Sequence, residues 1–266
     1  MTLKFDSQKV AAIIRDITSV HILPFFRNLK NHEIGKKFSG EIVTKADIRA
    51  EKRFTSELLA LLPGSFVIGE EAVDADPAIE KRLLGEEPVW IIDPIDGTRN
   101  FANGKECFCI IIALCYGGET IAGWIYDPIS DVIYFSESGG GAWANDSRII
   151  IPPSPIQNNM IASLGNFRQN KFRDNLSSDE MPKNMLRYRC IGREYTDMTL
   201  GKIHFAEYFI LKPWDHAAGL LIISEAGGYH AYIDSQIPYK PIPTNRENLL
   251  VATSESEWLK LRKLFV

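Results

Sequence analysis

The segment Trp90-Ile91-Ile92-Asp93-Pro94-Ile95-Asp96-Gly97-Thr98-Arg99-Asn100-Phe101 runs an apolar stretch straight into two aspartates, a glycine and a threonine. Pro94 sets a turn, which places Asp93 at the end of a strand and Asp96 one turn onward, with Gly97 and Thr98 opening a short helix. Two carboxylates would then converge on one point. Unpaired N–H groups at a helix start form a natural seat for a phosphate, and the missing side chain at position 97 lets an anion approach closely. A cation site and an anion site would abut. On local grounds alone the same aspartates also suit turns and caps.

Further acids occupy comparable places. Gly69-Glu70-Glu71 follows a strand at 66–68, and Asp215 stands at a helix start within Trp214-Asp215-His216-Ala217-Ala218-Gly219. Glu70 and Asp215 would individually serve as helix caps. Taken jointly, Glu70, Asp93, Asp96 and Asp215 form an oxygen-only donor set without His or Cys, the preference of a hard divalent cation such as Mg²⁺ that bridges to phosphate. Such a cluster repels itself unless cations fill it. The five histidines show no paired ligand spacing and the four cysteines no C-x-x-C spacing, so zinc is not expected. Cys107, Cys109 and Cys115 share one apolar run and read, like Cys190, as buried free thiols.

The elements that must position these groups follow from periodicity. Val10, Ile13, Ile14, Ile17 and Val20 predict one long helix over 7–28, bent near Pro24, followed by a polar loop over 30–40. A second helix is predicted over 47–62, ending at Pro63-Gly64. Strands are expected at 66–68, 89–92, 107–116, 120–126 and 132–135, an antiparallel-type run. Beyond residue 148 the pattern alternates: strands near 160–163, 186–190, 204–209 and 249–252, with helices near 169–176, from 194, over 215–226 and near 255–264. The expected class is α/β (α+β), in two tightly joined halves, 1–147 carrying most acids and 148–266 completing the site, with the Pro-rich patch at 152–155 at the boundary.

The 266 residues suffice for a large core, and 45% apolar with 24% charged residues excludes disordered and fibrous classes. A net charge of −4 argues against a broad grip on nucleic acid or an anionic membrane and favours a small or locally recognised partner. The longest apolar stretch, 107–116, is far short of a membrane span. The opening residues Met1 to Asp6 lack a basic stretch followed by an apolar one, so a cytoplasmic address is expected.

These motifs resemble the inositol monophosphatase family, including its SuhB-like branch, across nearly the whole chain. The matching pieces are Val43 to Asp47, Gly69 to Glu71, Trp90 to Phe101, Gly139 to Asn145, and Trp214 to Gly219 with Glu225 to Gly228. Asp-Pro-Ile-Asp-Gly-Thr and Trp-Asp-x-Ala-Ala-Gly, in that order, are the specific ones. The resemblance implies a layered α-β-α-β-α sugar-phosphatase fold, commonly a homodimer, and Mg²⁺-dependent, Li⁺-sensitive hydrolysis of phosphate monoesters of polyols or sugars. It further implies that Glu70, Asp93 and the Ile95 carbonyl hold one metal and Asp93, Asp96 and Asp215 a second, with a weaker third near Glu70. Thr98 and Asp47 would position the attacking water, and Gly97 and Thr98 would seat the phosphate.

The chain departs from that pattern on the substrate side. Tyr208 stands where the family usually carries a substrate-binding Glu, and Gly192-Arg193-Glu194-Tyr195 replaces a glycine followed by small residues. Gly192, Arg193, Glu194 and Tyr208 are therefore the expected substrate contacts, with inositol 1-phosphate not the best substrate; Arg193 would meet an extra anionic group or form an outward ion pair. Arg99, where threonine is frequent, carries the same two readings, and His216 is either structural or a substrate contact. Other esters, including adenosine 3′,5′-bisphosphate, fructose 1,6-bisphosphate and histidinol phosphate, stay open, as does a SuhB-like regulatory role with a transcription-complex partner.

Overall fold

The computed structural model describes residues 3–37, 39–242 and 248–266; Met1, Thr2 and position 38 of the polar loop lie outside it. Helix α1 (Ser7–Ile17) starts on Asp6, whose carboxylate accepts from the N–H groups of Gln8 and Lys9. The single bent helix expected over 7–28 is three helical types in series. After Ile17 the chain widens into a π-helical turn at Thr18–Ile22 and tightens to a 3-10 turn at Leu23–Phe25, since Pro24 has no N–H to offer an α-helical ladder. Strands β1 (Ile34–Lys36) and β2 (Ile42–Thr44) pair antiparallel. Helix α2 (Lys45–Leu61) begins two residues earlier than expected because Thr44 and Asp47 close a capping box, with the Thr44 N–H donating to Asp47 Oδ2 at 2.8 Å.

A seven-stranded sheet follows: β3 (Phe66–Gly69), then helix α3 (Glu70–Ala75), β4 (Val89–Asp96), helix α4 (Thr98–Ala102), β5 (Cys109–Tyr116), β6 (Glu119–Asp127), β7 (Val132–Glu137), β8 (Ala142–Ala144) and β9 (Ser147–Ile149). The strands lie in sequence order, β3 parallel to β4 and the rest antiparallel. The chain then builds β10 (Ile161–Ser163), α5 (Asn166–Asn175), β11 (Asn184–Leu186), α6 (Ile191–Thr199), β12 (Phe205–Tyr208), α7 (Pro213–Glu225), β13 (Tyr229–Tyr232), β14 (Leu249–Ala252) and α8 (Glu255–Arg262). Its five strands form a mixed sheet in the order β11-β10-β12-β14-β13.

Side-chain alternation along β4 explains the layering. Trp90 and Ile92 join Val10, Ile14, Phe54 and Leu58 of α1 and α2 in one core, while Val89 and Ile91 face the other way, into a core shared with Ala217, Leu220 and Ile223 of α7. That second core also takes Ala206 of β12 and Val251 of β14, and a third packs Phe172 of α5 and Trp258 of α8 against Phe205 and Leu250. The order is therefore α1/α2, large sheet, α6/α7, small sheet, α5/α8. The central helices fit because glycine permits close approach: a Cβ at Gly219 would stand 2.1 Å from the Tyr195 ring. Among the described residues no helix is long and apolar enough to cross a membrane.

Candidate active site

Strand β4 does not stop at Ile92 as expected but runs to Asp96. Asp93 pairs with Ile111 and Asp96 with Cys109, so three steps on β4 oppose two on β5. One residue is bulged out around Pro94, which cannot donate to the ladder. Two residues three apart on a regular strand face opposite sides; the bulge restores parity and puts Asp93 and Asp96 on one face. Asp93 Oδ1 accepts from the Ile95 N–H at 3.0 Å, and Asp96 Oδ2 accepts from the Gly192 N–H at 2.6 Å and from the Cys109 thiol at 3.4 Å.

Helix α7 brings Asp215 in its first turn, and one carboxylate oxygen each from Asp93, Asp96 and Asp215 lies within 4.8 Å of the others. Burial, reinforced by neighbouring carboxylates, pushes Asp93 and Asp215 well above the ordinary aspartate range, and burial raises Asp96. For Asp93 the largest of these neighbours is Glu70, at the first position of α3. Oxygen-only donors that repel one another in a buried cluster fit hard divalent cations.

Gly97 and Thr98, the residues expected to seat an anion, adjoin this cluster. Gly97 has φ 86°, and a Cβ there would meet the Cys107 carbonyl at 2.9 Å and Cys190 Cβ at 3.1 Å, so position 97 requires glycine. Thr98 Oγ1 lies 2.9 Å from the Ile95 carbonyl and 3.3 Å from Asp47 Oδ1. Asp47, buried, is pushed up to about 7, against the opposing pull of the Thr44 hydroxyl and N–H. Thr98 thus lies in direct contact with both Asp47 and the Ile95 carbonyl.

Lys37 carried no signal in the sequence, since it sits in a polar loop 33 residues from its partner. Its ammonium lies 2.5 Å from Glu70 Oε1 and 2.8 Å from Glu71 Oε1. Burial pulls its pKa down, but the two carboxylates outweigh this and hold it above the ordinary lysine value. Glu71 is pushed up to about 8 by burial and by Glu70.

The acids and the seat open into a cleft of about 510 Å³, which Glu194 and Tyr208 also line. Gly192 and Arg193 do not line it. Helix α6 begins at Ile191 rather than at Glu194, so Gly192 N–H is spent on Asp96 and Arg193 reaches Asp127 Oδ2 at 2.7 Å, an ion pair instead of a substrate contact. His216 is a core residue, its Nδ1 2.7 Å from the Tyr195 hydroxyl and its Nε2 3.0 Å from the Ile210 carbonyl. All four cysteines are free, three of them buried and Cys107 half-buried.

Fold and site together describe a layered α/β scaffold with a cleft lined by converging acids. The chain belongs to the inositol monophosphatase family, whose profile matches residues 3–263. It is 31% identical over 206 residues to an inositol-1-monophosphatase of Bacillus subtilis (strain 168), covering 76% of each chain. It is 32% identical over 213 residues to the Nus factor SuhB of Vibrio cholerae, covering 78% of each. The solved structure of an IMPase/NADP phosphatase complexed with Mg²⁺ and phosphate shares the fold at a TM-score of 0.81 and 20% identity, covering 97% of this chain and 94% of that one.

Proposed function

We propose that this chain is a Mg²⁺-dependent phosphatase that hydrolyses phosphate monoesters of polyols or sugars. The observation that carries the reading is the convergence of Asp93, Asp96 and Asp215 beside Gly97 and Thr98 in one cleft. Glu70, Asp93, the Ile95 carbonyl, Asp96 and Asp215 would hold Mg²⁺, and the fold-mate solved with Mg²⁺ and phosphate supports that choice of ion. When bound, Mg²⁺ supplies Lewis acidity and a water acidified toward neutral pH. Gly97 and Thr98 orient the phosphate through backbone N–H groups. The Thr98–Asp47 contact offers a path for a proton from the attacking water, with Asp47 poised to accept it at about pH 7. Positioning and charge compensation are most of what phosphoryl transfer asks of a protein.

A relative carries the name of a Nus factor. A purely transcriptional role would give no reason to retain so self-repelling a carboxylate cluster, and this favours the hydrolytic reading. The test is phosphate release from a panel of inositol, sugar and nucleotide phosphates, with Mg²⁺ and with chelator. Turnover of several esters that chelator abolishes is expected; no turnover of any ester with Mg²⁺ present contradicts the proposal.

A further inference from the structure

The geometry points to a further metal site of different chemistry, in which Cys109, Cys190 and Asp96, with Cys107 beside them, bind a thiophilic divalent cation of the Zn²⁺ type. The site goes beyond the hydrolytic reading above and shares only Asp96 with the carboxylate cluster.

Asp96 ends β4, Cys109 opens β5 and Cys190 caps α6, so three elements bring their donors to one buried point. Cys109 Sγ lies 3.6 Å from Cys190 Sγ and 3.4 Å from Asp96 Oδ2, and one donor atom of each residue lies within 4.8 Å of the others. A tetrahedral Zn²⁺ with bonds of about 2.3 Å to sulfur and about 2.0 Å to oxygen sets S···S at about 3.8 Å and S···O at about 3.5 Å. Both separations at Cys109 stand within about 0.2 Å of those edges. The half-buried Cys107 thiol contacts Cys190 and offers a fourth donor. Thiolate sulfur selects zinc-like ions, whereas Mg²⁺ prefers oxygen donors. Cys190 follows Cys109 by 81 residues, so no short cysteine spacing announces the site.

The surroundings supply a second, independent observation. A Cβ at Gly192 would stand 2.3 Å from Cys109 Sγ, so only glycine lets this sulfur lie against the start of α6. The Gly192 N–H meanwhile donates to Asp96 Oδ2 at 2.6 Å and fixes the carboxylate, as outer contacts orient the ligands of a metal. Among the described hydrogen bonds and ion pairs no Lys or Arg engages Asp96, whose buried charge calls for a cation. Binding exchanges thiol protons, released to solvent, for metal–sulfur bonds, and no electron is transferred. An ion held there also takes up part of the charge of Asp96 and so weakens the hold of that residue on Mg²⁺.

The test adds Cd²⁺, whose bonds to thiolate give an ultraviolet charge-transfer band, to the reduced protein in the presence of Mg²⁺. One equivalent should produce the band and slow the alkylation of Cys107 by iodoacetamide about tenfold or more, because a metal-bound thiolate is no longer a free nucleophile. The Cys109→Ser/Cys190→Ser protein should bind Cd²⁺ at least about a hundredfold more weakly, since loss of even an outer contact costs a metal site up to that much. Cys115→Ser, near the far end of β5, should bind Cd²⁺ as the wild type does. No thiolate band, or a band that survives the double substitution at equal affinity, overturns the site. Unchanged labelling of Cys107 overturns its place in the site. If near-UV circular dichroism shows the double variant unfolded, the wild-type band and the Cys107 labelling decide. Calorimetry on the Cd²⁺-loaded protein should find Mg²⁺ bound about tenfold more weakly than without Cd²⁺, and an unchanged Mg²⁺ affinity overturns the sharing of Asp96.

Discussion

The Tyr208 hydroxyl donates to Glu194 Oε2 at 3.1 Å, while Glu194 Oε1 accepts from the Tyr188 N–H at 3.0 Å. The last residue of β12 and the first turn of α6 thus meet at the wall of the cleft. Burial pushes Glu194 up to about 7, against hydrogen bonds from Ser163, Tyr188 and Tyr208 that favour its charged form. An aromatic residue at 208 therefore does not leave this wall without a carboxylate, because α6 supplies one beside it.

Glu194→Gln tests that carboxylate. An amide replaces one acceptor oxygen with a donor, so a substrate hydroxyl that bonds there loses its partner. We expect kcat/KM for a hydroxyl-rich ester such as inositol 1-phosphate to fall about 10- to 100-fold relative to p-nitrophenyl phosphate. An equal change for both substrates would show that Glu194 makes no substrate contact.

Stability should depend on pH with a sign set by the buried acids. Asp47, Glu51 and Glu194 are raised to about 7, and Glu71 to about 8, in each case chiefly by burial. A raised acid contributes stability that is full below its unfolded pKa and lost as pH rises through its folded one. Burial depresses His216 and His230 to about 4, which works oppositely: their contribution is full above about 6.5 and lost as pH falls toward 4. The two groups oppose each other between about pH 4.5 and 6.5, leaving the acids alone above that. The metal-free protein should therefore lose Tm between pH 6.5 and 8, and Mg²⁺ should reduce the loss. A Tm that rises over this window without metal would contradict the electrostatic account of the site.

Several features of this site were legible in the sequence, and the reasons differ by residue. Asp93, Asp96, Gly97 and Thr98 were readable because their chemistry is local, one carboxylate pair and one turn within six positions. The continuation of β4 past Pro94 was not, since a proline in a strand normally signals its end and only pairing with β5 reveals the bulge. Arg193 and Glu194 were assigned together, yet the three-residue error in the start of α6 separates them, one onto Asp127 and one into the cleft. Lys37 carries no spacing signal at all; tertiary packing alone brings it to the site.

Thiol reactivity offers a separate check on packing. Burial pushes Cys109 and Cys115 up to about 12, whereas contact with Cys190 draws the half-buried Cys107 below the ordinary thiol value. Since the thiolate is the reactive form, iodoacetamide should label Cys107 first in the native protein and all four cysteines only after denaturation. Mass spectrometry that finds Cys109 or Cys115 labelled as fast as Cys107 would contradict the described core.

Asp93→Asn is the most direct test of the proposed cation-binding centre of Asp93, Asp96 and Asp215 with Glu70. The substitution removes one charge from a self-repelling cluster, so the fold should survive, as near-UV circular dichroism would show. Phosphate release with saturating Mg²⁺ should fall by about a thousandfold or more, the scale of losing several kcal/mol of metal-assisted stabilisation. A natively folded Asp93→Asn protein that retains activity within about threefold of wild type, far inside that margin, would contradict the assignment.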